Sequence, residues 1–401
     1  MGSTEVIRSR ITAKQLFRAL RRRLLDPLTR PLLNWYQDLV LRLVSPQEDH
    51  VGVVVHGGHT LSGNPRALAD ALIQHTNCHV VIAGESIDDT ACNWVNSQPT
   101  GRAYWTPKFG ARYARCRHVF LTHGGGGPPV MRKRADPNRS YFLLWHGVGG
   151  GKRLELNPPS WATQFSRRYK AFLAPSDAEY PEIQPFLGLE PEKFWVCGYP
   201  RIDHLTAPRP DLPRDLREAL AALEELRAGR KLVLWAPTYE PFRERRVDPL
   251  GIIAHLVEAI DGRAILGLRL HRNVRPDALV GRFPQGVIDL THVSSTEIVL
   301  RETDVLVTDF SSIRLDFEVL QRPIVGYAPY LEHYVATGRV AADIMERFGS
   351  RWANDPPGLR THISQALDAS DRKSRPHPTL FHEHIHGNAN RVVRVCLPHL
   401  T

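Results

Sequence analysis

A histidine followed by a run of glycines marks the stretch WHGVGGG, residues 145–151. Imidazole exchanges a proton near neutral pH, and glycines allow a backbone to approach a ligand closely. His146 could therefore serve as a general base, and the cations Lys152 and Arg153 follow directly. The alternative is a strand-to-helix turn with a satisfied histidine.

The spacing in this stretch excludes a P-loop, which requires G-x-x-x-x-G-K-[ST] around a nucleotide's phosphates. Counted back from Gly151 and Lys152, the first glycine should be residue 146 and the Ser/Thr residue 153, but the chain has His and Arg there. The run THGGGGPP at 122–129 is typical of the oxyanion-hole glycines of lipases. No G-x-S-x-G nucleophile elbow accompanies it, so that function is excluded too.

A pair of serines in the second half of the chain indicates an anion site. The segment VLVTDFSS, residues 305–312, is a buried strand that runs into a helix start. With Ser311 or Ser312 at the N-cap, backbone N–H groups and the positive helix end would face a ligand, which suits phosphate. Serines also cap helices that bind nothing, so the pattern alone is weak.

Two other predicted strands of the second half end in polar groups. His271 follows LRL and is flanked by Arg269 and Arg272, while Pro237 fixes the backbone in the turn WAPTY. Nearby backbone amides of that turn could contact a flat base. Since ligands of α/β proteins bind at the carboxyl ends of the strands, we expect these ends to converge on one site.

The elements that position these residues follow an alternating pattern. Short β-branched runs such as VGVVV and HVVIAG alternate with helical stretches from residue 51 onward, which is typical of βαβ units and a parallel sheet. The proline-rich stretch LTAPRPDLPRD at 205–215 is the best linker candidate. We predict an α/β protein with two doubly wound, Rossmann-like domains, 49–205 and 206–401, facing a central crevice.

Composition narrows the class of protein. The 401 residues have 42% hydrophobic and 23% charged residues, as in globular enzymes, and a net charge of +10, which indicates an anionic partner. No apolar run reaches a membrane span, and the first residues lack the apolar segment of a signal peptide, so we expect a cytoplasmic protein. The five cysteines include no C-x-x-C pair, so neither a disulfide framework nor a zinc knuckle is indicated.

The N-terminal segment, 1–48, is predicted to be basic, amphipathic and helical. Residues 8–42 carry nine Lys/Arg against two Asp, beside apolar residues at helical spacing. Such helices suit an anionic membrane surface, and the alternative is a helical pair packed on the protein's own body. Nucleic acid is not expected as a partner, because no nucleic-acid module is recognisable.

Seven segments occur in an order that resembles the CDP-glycerol glycerophosphotransferase family, which builds teichoic acids and related capsule polymers. The resemblance spans about residues 51 to 395, and its GYPR and TDFSS parts are the most specific. The segments are LSGNPRALADAL (61–72), WHGVGGGKRL (145–154), GYPRIDHL (198–205), WAPTYE (235–240), LRLH (268–271), VTDFSSIRLDFEVLQRPIVGYAPYLEHY (307–334) and GNANRVV (387–393).

The resemblance implies a GT-B fold with an acceptor-side first domain and a CDP-donor-binding second domain. It also implies transfer of a polyol phosphate to an acceptor hydroxyl with release of CMP, and it assigns roles by motif. His146 matches the proposed general base and His271 the histidine near the pyrophosphate. The other implied site residues are Asp309, Ser311, Ser312 and Arg269 for the donor phosphates, Pro237 and Thr238 for the cytidine, and Arg201 and Asp203 in the crevice wall.

Several positions depart from the family's pattern. Val148, Gly149 and Gly150 stand where threonine, proline and leucine usually follow W-H-G. Ile202 replaces the usual asparagine before Asp203, and Arg272 replaces a proline that often follows the second histidine. These changes leave the chemistry of His146 intact but leave the acceptor and the polyol open.

The predicted function is therefore transfer of a polyol phosphate, most directly glycerol phosphate, from a CDP-polyol to a polyprenyl-linked or polymer acceptor at the inner face of the membrane. Such transfer requires positioned cations, dipoles and a base. We expect no cofactor and no metal site, although HEHIH at 382–386 has the composition of one. The alternatives are a GT-B glycosyltransferase that uses a nucleotide sugar and a non-catalytic membrane-associated assembly protein.

Overall fold

Two six-stranded parallel sheets form the centre of the protein. The structure, a computed structural model, describes residues 35–36, 38–55, 61–84, 107–123, 136–147, 149, 166–239, 248–270, 283–341, 343–346, 351–370 and 375–400. The strands are β1 (Gln47–Val55), β2 (His79–Gly84), β3 (Cys116–Leu121), β4 (Ser140–Leu143), β5 (Ala171–Ala174), β6 (Phe194–Val196), β7 (Lys231–Trp235), β8 (Ala264–Leu268), β9 (Val287–Asp289), β10 (Val305–Thr308), β11 (Ile324–Tyr327) and β12 (Trp352–Ala353).

Helices alternate with these strands, as the sequence pattern predicts. Leu216, Leu220 and Leu223 of α5, for example, are buried at helical spacing while the charged residues between them face solvent. The helices are α1 (Gly63–His75), α2 (Pro107–Ala114), α3 (Tyr180–Leu187), α4 (Arg201–Thr206), α5 (Arg214–Arg227), α6 (Pro249–Ile260), α7 (Thr296–Glu302), α8 (Ile313–Glu318), α9 (Leu331–Ala336), α10 (Pro356–Ala369) and α11 (Asn388–Cys396).

The strand order is β2-β1-β3-β4-β5-β6 in the first sheet and β12-β11-β10-β7-β8-β9 in the second. Every named pairing is parallel. The central strands, such as β10 and β8, are buried along their whole length, because helices cover both faces of a parallel sheet. The prediction of two parallel α/β halves is therefore confirmed.

The last helix returns to the first half of the chain. Buried residues of α11 (Val392, Val393 and Cys396) share a core cluster with Leu68 and Leu72 of α1. Its N-terminal backbone N–H groups, at residues 388 and 389, donate to the two carboxylate oxygens of one aspartate at 2.9 and 2.8 Å. Helix α11 therefore ties the C-terminal end of the chain to the first half.

The end of the N-terminal segment contacts the body of the protein. Residues 38–43 are helical, Leu41 is buried, and the Arg139 guanidinium donates to the carbonyls of Leu41 and Val44 at 2.9 Å each. Most of the predicted basic segment, residues 1–34 and 37, lies outside the described residues. In the part of the chain described here, no helix has the length and apolarity to cross a bilayer.

Candidate active site

A crevice of about 460 Å³ lies between the two halves. It receives residues from the carboxyl ends of strands in both sheets, where α/β proteins place their ligands. Six of the predicted site residues line it: His146 and Arg201 from the first half, and Pro237, Arg269, Ser311 and Ser312 from the second. The sequence motifs therefore converge in space, as expected from their positions at strand ends.

His146 follows β4 on a strained turn. Trp145, the residue before it, is buried and has a φ of +53°, a left-handed conformation that a tryptophan rarely adopts. The imidazole Nδ1 lies 3.1 Å from the Thr122 carbonyl oxygen. Because a carbonyl only accepts, this contact makes Nδ1 the N–H donor, and a neutral ring then carries its lone pair on Nε2.

A second histidine contacts this imidazole. The ring of His123, at the end of β3, is stacked on that of His146 with centroids 3.8 Å apart and planes inclined by 8°. His123 also lines the crevice. His123 was not predicted as a site residue from the sequence. The strand HVFLTH, which ends in His123, was the signal available.

Asn64 was another functional residue that the sequence analysis missed. Its side chain is buried, and its Nδ2 donates to the carbonyls of Leu144 and Trp145 at 3.2 and 3.3 Å. Its Oδ1 accepts from the Arg201 backbone N–H at 3.1 Å. One amide therefore links α1, the backbone before His146 and the start of α4. The motif GNP in the first of the quoted segments was its only signal.

Asp309 is fully buried and does not line the crevice. Its carboxylate accepts from the Thr238 N–H and hydroxyl, from the Ser311 N–H and from the Tyr330 hydroxyl. Burial raises the pKa of Asp309, and these hydrogen bonds partly offset the rise. The described contacts make Asp309 an anchor for two turns, those of Thr238 and Ser311, while its predicted contact with donor phosphates stays a prediction.

The two serines lie where the halves of the protein meet. Ser312 occupies the N-cap position of α8 but makes no side-chain capping hydrogen bond. A Cβ placed on Gly147 would lie 3.3 Å from the Ser312 hydroxyl oxygen, so the loop after His146 and the serine turn are in close approach. The glycine leaves room for this approach, which any larger residue would narrow.

The remaining donor-side residues differ in placement. Arg269 lines the crevice, and its guanidinium donates to the Leu290 and Val293 carbonyls and to the Thr296 hydroxyl. Pro237 lines the crevice, whereas Thr238 is buried beneath it on Asp309. His271 lies outside the described residues, so its role near the pyrophosphate stays a prediction.

Arg201 joins the two halves by a buried ion pair. Its Nε and Nη2 donate to the Asp316 carboxylate at 2.9 Å each, and His382 Nε2 lies 3.0 Å from the same carboxylate. Burial alone would raise the pKa of Asp316, but the Arg201 charge and the His382 contact lower it to about 2. Asp316 lines the crevice and was not singled out from the sequence.

Asp203 lies at a different contact from Arg201. It is the aspartate whose oxygens accept from the backbone N–H groups of Asn388 and Ala389, at the start of α11. It is not among the residues that line the crevice. The described contacts therefore favour docking of α11 over substrate contact.

The HEHIH stretch is divided among structural contacts. His382 is completely buried against Asp316, and His386 Nδ1 lies 3.2 Å from the Thr206 hydroxyl. Among the residues described, the one group with metal-ligand spacing is Glu48, His118 and His399, which is not part of this stretch or of the crevice.

Comparison with protein families decides the class of protein. A family model described as CDP-Glycerol:Poly(glycerophosphate) glycerophosphotransferase matches residues 39–397. The chain belongs to this family. The match includes both sheets and every residue that we placed in the crevice, so the resemblance seen in the sequence is confirmed.

Individual relatives are about a quarter identical to the chain over the aligned residues. A teichoic acid glycerol-phosphate transferase of Staphylococcus aureus is 28% identical over 69% of this chain and 73% of its own length. A teichoic acid ribitol-phosphate primase of Bacillus spizizenii is 26% identical over 74% and 77%. The match to the S. aureus ribitol-phosphate polymerase TarK covers only 48% of that protein, at 24% identity.

Solved structures support the fold. The wall teichoic acid polymerase TagF superposes with a TM-score of 0.74 at 16% identity, over 97% of this chain and 99% of that chain. A UDP-GlcNAc 2-epimerase from Neisseria meningitidis has a TM-score of 0.54 at 13% identity, over 87% and 100%. At these identities the likeness concerns the fold of two parallel-sheet halves.

Proposed function

We propose that the protein transfers a polyol phosphate from a CDP-polyol to a hydroxyl group of a lipid-linked or polymer acceptor and releases CMP. Glycerol phosphate is the first candidate for the transferred group. The observation that supports the proposal is the approach of the His146 loop to the Ser312 hydroxyl, because the proposed base and the proposed phosphate site would then be neighbours in the crevice.

In this reaction His146 Nε2 takes the proton of the acceptor hydroxyl. The acceptor oxygen attacks the phosphorus next to the polyol, and the bond from that phosphorus to the CMP oxygen breaks. The Nδ1 contact with the Thr122 carbonyl holds the ring in the required tautomer. The chemistry needs no covalent intermediate, since positioning and charge compensation supply most of the catalysis in phosphoryl transfer.

The second half of the protein would hold the donor. We assign Ser311, Ser312 and Arg269 to the diphosphate and the turn at Pro237 to the cytidine, with Asp309 beneath both turns. The GT-B assignment is part of this proposal, and the likeness to TagF and to a nucleotide-sugar epimerase supports it. The relatives include glycerol-phosphate and ribitol-phosphate enzymes, so both donors belong in the test.

Identification of the released nucleotide tests the proposal. The purified protein is incubated with CDP-glycerol, CDP-ribitol or a panel of nucleotide sugars, each with polyol-phosphate acceptors. Release of CMP with extension of the acceptor is the expected result. Release of a nucleoside diphosphate from a nucleotide sugar would instead support a glycosyltransferase. No turnover of any donor, with the protein folded, would count against both enzymes.

We further propose that the N-terminal segment holds the protein on an anionic membrane at the cytoplasmic face. Trp35 and Leu43 are 65% and 74% exposed, and the spacing of eight residues places them on one side of a helix. Eight of the nine cations of residues 8–42 precede Trp35, and Arg42 follows it. Each would contribute about 1 kcal/mol near an anionic leaflet.

Sedimentation with liposomes tests the membrane contact. A chain that begins at residue 35 keeps Leu41 and the carbonyls that Arg139 contacts, so it should stay folded. We expect it to lose binding to anionic vesicles while it still uses a short water-soluble acceptor. Binding that persists would show that the cations before Trp35 do not hold the protein on the membrane, and a sharply lower melting temperature would favour packing of the segment on the protein body.

A further inference from the structure

A buried carboxylate that the proposed reaction does not use lies under the His146 loop. Glu179, in the short 3-10 turn Asp177–Glu179 after β5, has no exposed surface. Its Oε1 and Oε2 both accept from the Gly149 backbone N–H, at 3.0 and 2.8 Å. Gly149 is three residues beyond His146, so Glu179 holds the loop close to the candidate base.

Glycine at position 149 provides both the N–H group and the space that this contact needs. A Cβ placed on Gly149 would lie 2.5 Å from the Glu182 Cβ, which leaves no space for a side chain. Proline, which the family pattern has at this position, carries no N–H and could not donate to Glu179. On the other side of residue 148, the Tyr199 hydroxyl donates to the Gly147 carbonyl at 3.0 Å. The loop is therefore held at two backbone groups.

Burial and the neighbouring charged groups shift the pKa of Glu179. Burial raises the pKa of Glu179 to about 8, and the negative charges of Glu182 and Asp316 act in the same direction. The Gly149 N–H and the positive charge of Arg201 oppose them. Tyr199, whose own pKa is raised, is a further titratable group that faces Glu179. Glu179 therefore gains or loses its charge close to neutral pH.

We infer that Glu179 is a positioning residue that places His146 by holding the Gly149 backbone, and that the hold tightens when Glu179 is ionised. The physical reason is that an N–H bond to a carboxylate is shorter and stronger than one to a neutral acid. A tighter loop keeps the imidazole nearer its productive geometry. The part of this inference that concerns catalysis rests on the proposed function, whereas the hold on Gly149 does not.

Amide hydrogen exchange tests the hold without any substrate. In the unaltered protein the protection factor of the Gly149 N–H should rise by about tenfold between pH 7 and pH 9, as the bond becomes charge-assisted. Glu179→Gln keeps the size of the side chain and one acceptor but has no charge, so its protection factor should stay constant. Equal behaviour of the two proteins would overturn the inference.

Thermal melting gives a second, independent measure. The folded-state pKa of Glu179 lies above its ordinary value, so the folded state is progressively penalised as the pH rises from about 4.5 to about 8. Glu179→Gln removes this penalty, and its melting temperature relative to the unaltered protein should rise across that range. Glu258→Gln is the control, because Glu258 is an exposed glutamate that pairs with Arg360 outside the crevice.

Kinetics separates a positioning role from a structural one. With a CDP-polyol that is turned over, kcat should rise between pH 7 and 9 in the unaltered protein and in Glu258→Gln. This rise should be absent in Glu179→Gln, whose kcat at pH 9 should be about tenfold lower with donor affinity within about twofold. An unchanged pH profile in Glu179→Gln would show that Glu179 only supports the fold. If no donor is turned over, the proposed function fails, while the exchange and melting results still decide whether Glu179 holds the loop.

Discussion

Each wall of the crevice is supported by a buried carboxylate that accepts hydrogen bonds from a turn, and the two carboxylates differ in the number of hydrogen bonds that they accept. On the second-half wall, Asp309 accepts hydrogen bonds from Thr238, Ser311 and Tyr330. On the first-half wall, Glu179 accepts from the Gly149 N–H. Both carboxylates are fully buried, and burial raises the pKa of both.

The difference lies in how many donors compensate the buried charge. Several donors from three residues hold the turns of Thr238 and Ser311 on Asp309 and oppose the rise that burial causes in its pKa. Among the described residues, Glu179 has fewer donors than Asp309 and has like charges nearby, and burial raises its pKa to about 8. We therefore expect the wall assigned to the donor to be preset, and the wall with the proposed base to be adjustable by pH.

Loss of His146 should have the largest effect, since it removes the proposed general base. We expect His146→Ala to lower kcat by about a hundredfold or more while calorimetric donor affinity changes little. His75→Ala, at the exposed end of α1, is the control and should be indistinguishable from the unaltered protein. A loss confined to donor affinity would move His146 to the donor wall.

Asp309→Asn should produce the next largest effect, which we expect on the stability of the fold. The amide cannot accept all the hydrogen bonds that the carboxylate accepts, so the free energy of unfolding should fall by about 3 kcal/mol in urea titrations. Donor affinity should fall with it, because two turns lose their anchor. Asp211→Asn, on an exposed 3-10 turn, should stay within about 0.5 kcal/mol. Equal stability of the two variants would refute the preset wall.

The contribution of the Arg201–Asp316 ion pair to stability should be measurable by acid denaturation. The pKa of Asp316 is lowered to about 2, so its stabilising contribution is complete above the ordinary aspartate pKa and is lost as the pH falls toward 2. The loss should be about 2 kcal/mol between pH 5 and pH 2. Asp316→Asn should flatten this part of the stability curve, although the variant is less stable at pH 7. An unchanged slope would show that Asp316 does not bridge the walls electrostatically.

Substitutions in the serine turn should have the smallest effect, and we expect it on donor binding alone. Replacement of both Ser311 and Ser312 by Ala should weaken CDP-polyol binding by about 1 to 2 kcal/mol, as loss of hydrogen bonds to a charged group does. Calorimetry measures the affinity, and melting should show an intact fold. Ser364→Ala, whose hydroxyl accepts from Arg263 outside the crevice, is the control. Unchanged donor affinity would remove the phosphate role from this turn.

Much of this architecture was predictable from local sequence. Runs such as VLVT and AILGL are continuous and apolar, as strands covered on both faces must be, and α5 shows leucines at helical spacing. The convergence of His146 and the two serines was also predictable, because two such sheets that face a central crevice both present the carboxyl ends of their strands to it. The position of His271 and of most of the N-terminal segment stays a prediction, since these residues lie outside the described part.

The hydrogen-bond partners of the polar side chains were decided only by the tertiary structure. Asp309 and Asp203 both stand within motifs and were predicted for the crevice, yet one accepts from two turns and the other from the start of α11. Asn64 and His123 were missed because their partners are distant in the sequence. A polar side chain satisfies its hydrogen bonds with whatever the fold brings near it, and sequence spacing does not record that distance.

The local sequence therefore determined where strands and helices form and which residues stand at strand ends, because hydrophobic periodicity and glycine or serine turns act over a few residues. Only the tertiary structure decided which of those residues reach the crevice and which buried carboxylate carries a shifted pKa. Glu179 shows the reason most directly: its contact with Gly149 spans 30 residues, and its burial depends on how β4, β5 and α3 pack together.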